Sequence, residues 1–232
     1  MKIIVLGDIH GHKSWIKVIK QEQTFDKIVF LGDYWDSFSI NSKDQERNYK
    51  EIQEFRNAHP NEVVTLLGNH DYHYIYPVRY SGWKPGTKFL ATPLLEADIK
   101  AGKLPYIYQH EDIIFSHAGV TNYWMDNVAK CTLEELRNNE VQLRYFDWNS
   151  ILGNDGYGDT ISNSPIWIRP RSLKLNSLEG YRQVVGHTHR TNVGRQFLEK
   201  LYFCDALPEE YLVIEDNIFQ FKELILNKTH NE

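Results

Sequence analysis

The sequence predicts a mixed α/β fold, parallel in its N-terminal part and antiparallel at its C-terminal end. Three observations carry this. Short apolar, β-branched runs recur at 2–7, 27–32, 62–68, 112–117 and 183–187. Such runs, apolar without alternation, suit strands buried on both faces. The first three are separated by helix-length segments, which implies right-handed crossovers and parallel pairing. The last part of the chain instead holds strand-like runs at 200–206, 210–216 and 217–224 with very short connections, the mark of antiparallel neighbours.

Taken in order, the first run leads into 12–23, where Trp15, Ile16 and Ile19 fall at helical spacing. After the second run, 42–59 repeats the pattern with Tyr49, Ile52 and Phe55, and Ser42 is the expected N-cap. Segments 72–111 and 121–180 follow the third and fourth runs. They are long, less regular and proline-bearing, and they read as insertions over one face of the sheet, with a helical stretch at 132–146. Asp216-Asn217 is turn chemistry, so the last two runs form a hairpin. No repeat, low-complexity tract or linker divides the chain. One domain over 1–226 is expected, followed by a flexible tail at 227–232.

Composition narrows the function classes. A hydrophobic fraction of 41% over 232 residues supports a sizeable core. A net charge of -5 lacks the basic footprint of a general nucleic-acid binder. No apolar run reaches membrane-spanning length, and the N-terminal "IIVLG" is too short for a secretion signal. Cys131 and Cys204 are too few for a disulfide framework. Reduced thiols and a cytoplasmic location are the expectation. The oligomeric state has no signature here.

The chemistry lies where the apolar runs end. The first is followed by Asp8 and His10, the second by Asp33 and Asp36, and the third by Asn69, His70 and Asp71. The fourth is followed by His117, the fifth by His187 and His189. In open α/β sheets the C-terminal strand ends converge on one crevice, so residues far apart in sequence can meet there. Carboxylates, imidazoles and an amide without a thiolate suit Mn²⁺, Fe²⁺ or Zn²⁺ better than Ca²⁺. Each motif alone is ordinary turn or core chemistry. Five together, each ending a buried-strand pattern, are not explained by turns.

In this order the motifs are Asp-x-His, Gly-Asp-x-x-Asp, Gly-Asn-His-Asp, a lone His and Gly-His-x-His. From Asp8 to His189 the chain resembles the calcineurin-like metallophosphoesterase superfamily. "GDIHG", Asp36 and "SHAGV" resemble its serine/threonine protein phosphatase and bacterial diadenosine tetraphosphatase branch. The resemblance implies a four-layer αββα sandwich, two central mixed sheets flanked by helices, with a dimetal site at the strand C-terminal ends. It implies two divalent ions, Mn²⁺ foremost, with Fe²⁺/Fe³⁺ or Zn²⁺ as alternatives. Asp8, His10, His189 and a bridging Asp33 would hold one. Asn69, His117, His187 and the shared Asp33 would hold the other.

His70 then matches the group that protonates the leaving oxygen, and Asp36 the carboxylate that pairs with it. "IWIRPR" at 166–171 resembles a phosphate-contacting stretch and nominates Arg169. Ser37 stands where that branch carries a phosphate-binding arginine. The activity implied is hydrolysis of phosphomonoesters, of small-molecule, nucleotide or phosphoprotein type, by a hydroxide bridging the metals. "GNHD" and "GHTH" also occur among phosphodiesterases and nucleases, so diester or nucleic-acid cleavage is the alternative. A metal-bearing scaffold without activity is a third reading. His73 is expected as a loop residue near the mouth, not a ligand. The aromatic stretch 71–86 is expected to pack on itself.

Overall fold

The computed structural model describes residues 1–148, 159–189 and 200–225. In chain order it contains β1 (Lys2–Leu6), α1 (Ser14–Glu22), β2 (Lys27–Phe30), α2 (Ser42–Ala58), β3 (Val63–Thr65), α3 (Asn69–Ile75) and α4 (Pro85–Lys100). There follow β4 (Ile107–His110), β5 (Ile113–Ser116), α5 (Leu133–Arg137), α6 (Pro170–Asn176), β6 (Arg182–Val185), β7 (Leu201–Phe203), β8 (Glu210–Glu215) and β9 (Ile218–Glu223). The first sheet has the order β3-β2-β1-β8-β9 and the second β4-β5-β6-β7. The tail at 227–232 lies outside the described residues.

Pairing in the first sheet follows the sequence reading. β1, β2 and β3 are parallel, and the β8–β9 hairpin lies antiparallel against β1. The second sheet corrects it twice. β7 pairs parallel to β6, not antiparallel. β4 lies inside the segment read as an insertion and pairs antiparallel with β5. Helix starts also differ in detail. Asn41, not Ser42, caps α2, its Oδ1 accepting the Asp44 N–H at 3.0 Å. The stretch 132–146 is not one helix: a Thr132–Glu135 capping box opens the short α5, and a separate 3₁₀ turn spans Leu143–Phe146.

Alternation along the strands builds the layers. Ile3, Val5, Val29 and Leu31 share one core with Ile113, Phe115 and Val184, so the two sheets pack face to face. Ile4, Leu6, Ile28 and Phe30 point the other way, into a core that includes Trp15 and Val18 of α1 and Tyr49 and Ile52 of α2. Behind the second sheet, Val185, Leu201 and Phe203 pack with Ile168 and with Leu173 of α6. Helices therefore flank both sheets, and the inner strands β1, β2, β5 and β6 are buried on both faces, which is why they read as continuous apolar runs.

One buried ion cluster ties α1 to the sheet. Glu22 accepts from Tyr211 Oη at 2.6 Å and Lys222 Nζ at 2.9 Å, and pairs with Lys2 Nζ at 2.8 Å. Burial alone would raise its pKa, but these three donors outweigh it and hold it at about 2, below the ordinary 4.5. A depressed carboxyl stabilises the fold fully above its unfolded value and loses that contribution as pH falls toward the folded one. Glu22→Gln is thus expected to cost on the order of 2 kcal/mol at neutral pH. Urea unfolding at several pH values should show the gap between the two proteins closing below about pH 4.5.

Candidate metal centre and active site

The site is built just beyond the buried strand ends, where the backbone turns sharply. His10, Asp33, Asp36 and His187 adopt φ of 42°, 53°, 68° and 61°. Side-chain-bearing residues avoid this left-handed region, at about 1–3 kcal/mol each, and persist there only when their surroundings hold them. Here the surroundings are polar clasps. The His10 N–H donates to the Asp33 carbonyl at 2.7 Å, and the His187 N–H to Asp8 Oδ1 at 2.9 Å.

Asp71, one of the residues expected among metal-binding groups, acts in this way too. Its two oxygens accept the N–H groups of Asp33, Tyr34 and Gly68 at 2.9, 2.9 and 3.0 Å. It thereby joins the β2 and β3 ends. Burial raises its carboxyl to about 7 against the pull of these donors.

Two glycines leave room for the carboxylates. A Cβ on Gly68 would lie 2.2 Å from Asp33 Oδ1, and one on Gly186 would lie 2.4 Å from Asp8 Oδ1. Gly186→Ala should therefore displace Asp8 while leaving the strand intact. A loss of metal affinity of about 10–100-fold, the size seen when a ligand loses its orienting partner, is the expected result in a metal titration.

The histidine tautomers are set by carbonyls. His10 Nδ1 donates to the Trp35 carbonyl at 2.7 Å, His117 Nδ1 to Leu31 at 2.9 Å, and His187 Nε2 to Trp167 at 3.1 Å. A carbonyl only accepts, so each of these nitrogens carries the ring proton and the other bears a lone pair. The lone pairs face inward. His117 Nε2 lies 2.8 Å from Asn69 Oδ1, 3.2 Å from His187 Nδ1 and 3.4 Å from Asp33 Oδ2. His10 Nε2 approaches the same Asp33 Oδ2 at 3.8 Å. Donor atoms of Asp8, His10 and Asp33 all lie within 4.8 Å of one another. Two groups of electron-pair donors thus meet at Asp33, with acceptor facing acceptor.

Electrostatics point the same way. Burial raises Asp8 and Asp33 well above the carboxylate range, helped by Asp205 and Asp33 at the first and Asp71 at the second. Burial lowers His10 to about 4, His117 to about 3 and His187 well below the imidazole range. Neutral imidazoles and crowded, desolvated carboxylates repel each other as they stand. Cations placed between them would stabilise the ionised carboxylates and further favour the neutral imidazoles. The residues fit a pair of divalent ions on this ground.

The remaining candidates surround a cleft of about 300 Å³ lined by Asp8, His10, Asn69, Tyr80, Trp167 and Arg169, among others. His70, in the first turn of α3, donates its N–H to Asp33 Oδ1 at 2.8 Å, and its Nδ1 lies 2.9 Å from Asp36 Oδ2. Its side chain is 21% exposed, into the cleft, whereas that of Asp36 is fully buried. Arg169, half-buried at the start of α6, donates to the His187 carbonyl and Thr188 Oγ1, both at 3.0 Å. His189 is exposed.

Asp205 was not expected at the site. It also lines the cleft, and burial raises it to about 6. Its signal was available: it stands two residues beyond β7, as Asp8 stands two beyond β1. His73 corrects the sequence reading more sharply. It is no loop residue at the mouth but lies in α3, 1% exposed, with Nε2 2.6 Å from Asp36 Oδ2. Within the aromatic stretch, Arg79 stacks on Trp83 at 4.3 Å, in keeping with packing.

Residues 1–191 match the family model of calcineurin-like phosphoesterases. The chain belongs to this family. As a calcineurin-like phosphoesterase it is a hydrolase of phosphate ester bonds, its substrates are phosphorylated, and family and donor groups together point to a dinuclear divalent-metal site. Solved structures share the fold. A cold-active protein-tyrosine phosphatase from a Shewanella species aligns with a TM-score of 0.62 at 18% identity, covering 97% of this chain and 80% of its own. A protein serine/threonine phosphatase from Saccharomyces cerevisiae aligns at 0.61 and 16%, covering 99% and 82%. A metallophosphoesterase from Sphaerobacter thermophilus aligns at 0.54 and 18%, covering 97% and 89%. At these identities the likeness is one of fold. No protein of curated function matches the sequence. Among the described residues no helix is long and apolar enough to cross a membrane.

Proposed function

We propose that this phosphoesterase hydrolyses phosphomonoesters, of small-molecule, nucleotide or phosphoprotein type, with two divalent ions, Mn²⁺ foremost. The supporting observation is the convergence of two donor groups on Asp33 Oδ2 beside the His70–Asp36 pair. Asp8, His10, His189 and Asp33 would hold one ion; Asn69, His117, His187 and Asp33 the other. When bound, such a pair supplies Lewis acidity for the attacking water and positive charge for the phosphoryl oxygens.

The chain's own groups do the rest. Arg169 borders the cleft and adds a planar cation for the phosphoryl oxygens, suited to the double charge of a monoester. His70 hands a proton to the departing ester oxygen. Asp36 holds its Nδ1, which leaves Nε2 for that transfer. A single domain over 1–226 and a cytoplasmic location belong to the same reading.

The test compares p-nitrophenyl phosphate with bis(p-nitrophenyl) phosphate after loading with Mn²⁺, Fe²⁺ or Zn²⁺. The monoester is expected to give the higher kcat/KM, with Mn²⁺ the best activator. A preference for the bis-ester would replace this reading by diester cleavage. A metal-replete protein inert on both esters and on a nucleotide panel would make it a scaffold.

A further inference from the structure

His73 has no part in the metal centre, yet it is among the most deeply buried polar residues of the chain, 1% exposed. Its ring is held by neighbours: edge-on to Tyr74 at 4.4 Å, edge-on to His70 at 5.6 Å and parallel to Tyr80 at 6.4 Å. Its Nε2 sits 2.6 Å from Asp36 Oδ2, the same oxygen that faces His70 Nδ1 at 2.9 Å. Neither ring nitrogen of His73 meets hydrogen-bond geometry with a partner among the described residues, so the approach of Nε2 to Asp36 Oδ2 is a close polar contact. Tyr74 Oη donates to the other oxygen, Oδ1. One carboxylate therefore faces two imidazoles and a phenol.

The helix explains the geometry. His70 and His73 are three residues apart on α3, so they share a face and can address one carboxylate together. Gly82 closes the remaining side: a Cβ there would lie 3.0 Å from Asp36 Oδ2 and 3.1 Å from Asp36 Cβ. Donor atoms of Asp36, His70 and His73 lie within 4.8 Å of one another, a spacing a metal ion could use. The covering backbone at Gly82 and the short 2.6 and 2.9 Å separations favour direct contact instead.

An isolated carboxylate this buried would be expensive to keep ionised. Burial does push Asp36 upward, but the contacts from His70, His73 and Tyr74 overcome it and hold the group well below the usual range. We infer that His73 is a positioning residue: with Tyr74 it fixes the Asp36 carboxylate so that Oδ2 stays aligned on His70 Nδ1. His73 touches neither ester nor metal, and acts only through the Asp36–His70 pair. The inference rests on the proposed role of His70 as proton donor.

The leaving group separates this role from a structural one. Protonation matters for an alkyl ester, whose alkoxide leaves poorly, and little for p-nitrophenyl phosphate. His73→Phe keeps a packed ring but removes the donor. His73→Gln places an amide nitrogen near the former Nε2. The metal-loaded H73F protein is expected to lose about 10-fold or more in kcat on an alkyl phosphate, the lower range for loss of an outer partner. It should lose far less on p-nitrophenyl phosphate, with KM and metal content unchanged. H73Q should recover most of the loss. If H73F does not fold, His73→Asn, whose shorter amide withdraws from Asp36, carries the same expectation. An equal loss on both esters, or no recovery in H73Q, would overturn the inference. His70→Asn measured alongside keeps the two levels apart: if it too lacks leaving-group dependence, the acid role itself falls, whatever His73 does.

Discussion

Asp33→Ala should leave a protein that binds fewer than two metal equivalents and has lost turnover well beyond the roughly 10–100-fold that removal of an outer partner costs. Asp33 Oδ2 is approached from both donor groups, by His10 Nε2 at 3.8 Å and His117 Nε2 at 3.4 Å. Without it, each group keeps neutral imidazoles but loses the anion they share. Asp33 also has a structural duty, since its Oδ1 accepts the His70 N–H at 2.8 Å. The Ala variant removes both functions. Asp33→Asn separates them, because an amide oxygen can still take that N–H while the charge is gone. A folded, metal-poor Asn variant in elemental analysis, with a melting temperature close to that of the metal-free parent, is the expected outcome. Two equivalents retained in either variant would remove Asp33 from the bridging position.

Much of this site could be read before the structure because its parts are local. Asp8, Asp33, Asn69, His117 and His187 each stand beside the apolar run that delivers them, and parallel strands bring such ends to one edge. What escaped reading depends on contacts between distant segments. The β7 segment Leu201–Phe203 is too short to carry a direction, so its parallel pairing with β6 is a tertiary fact. The left-handed φ of Asp33 and Asp36 has no local signature either. At Asp33 the backbone is held by the Asp71 carboxylate reaching back across 38 residues.

His73 is an intermediate case. Its spacing from His70 is helical, but that counts only once the helix is known to begin at Asn69. "GNHD" reads as a turn, and Gly68 is indeed the extended residue preceding α3. The helix starts immediately after it, and the first turn therefore carries chemistry instead of a loop. Asn41 shows the same limit on a smaller scale: Ser42 and Asn41 are both capping residues by type, and only the hydrogen bond to the Asp44 N–H decides between them.

His70→Asn is the second large effect. The Asn amide nitrogen can occupy the place of Nδ1 and keep the contact with Asp36, while nothing remains where Nε2 was. The backbone N–H that braces Asp33 is untouched. Metal content and fold should accordingly match the parent. Turnover of an alkyl phosphate should fall by about 10²–10⁴-fold, the usual contribution of a positioned proton donor. Turnover of p-nitrophenyl phosphate should fall much less, because its phenolate departs without help. Steady-state kinetics on both esters, with metal analysis of the same samples, make the comparison. A proton donor acts in the transition state alone, so the loss belongs in kcat and not in KM. A raised KM with kcat preserved would instead mark His70 as a group that binds the phosphate.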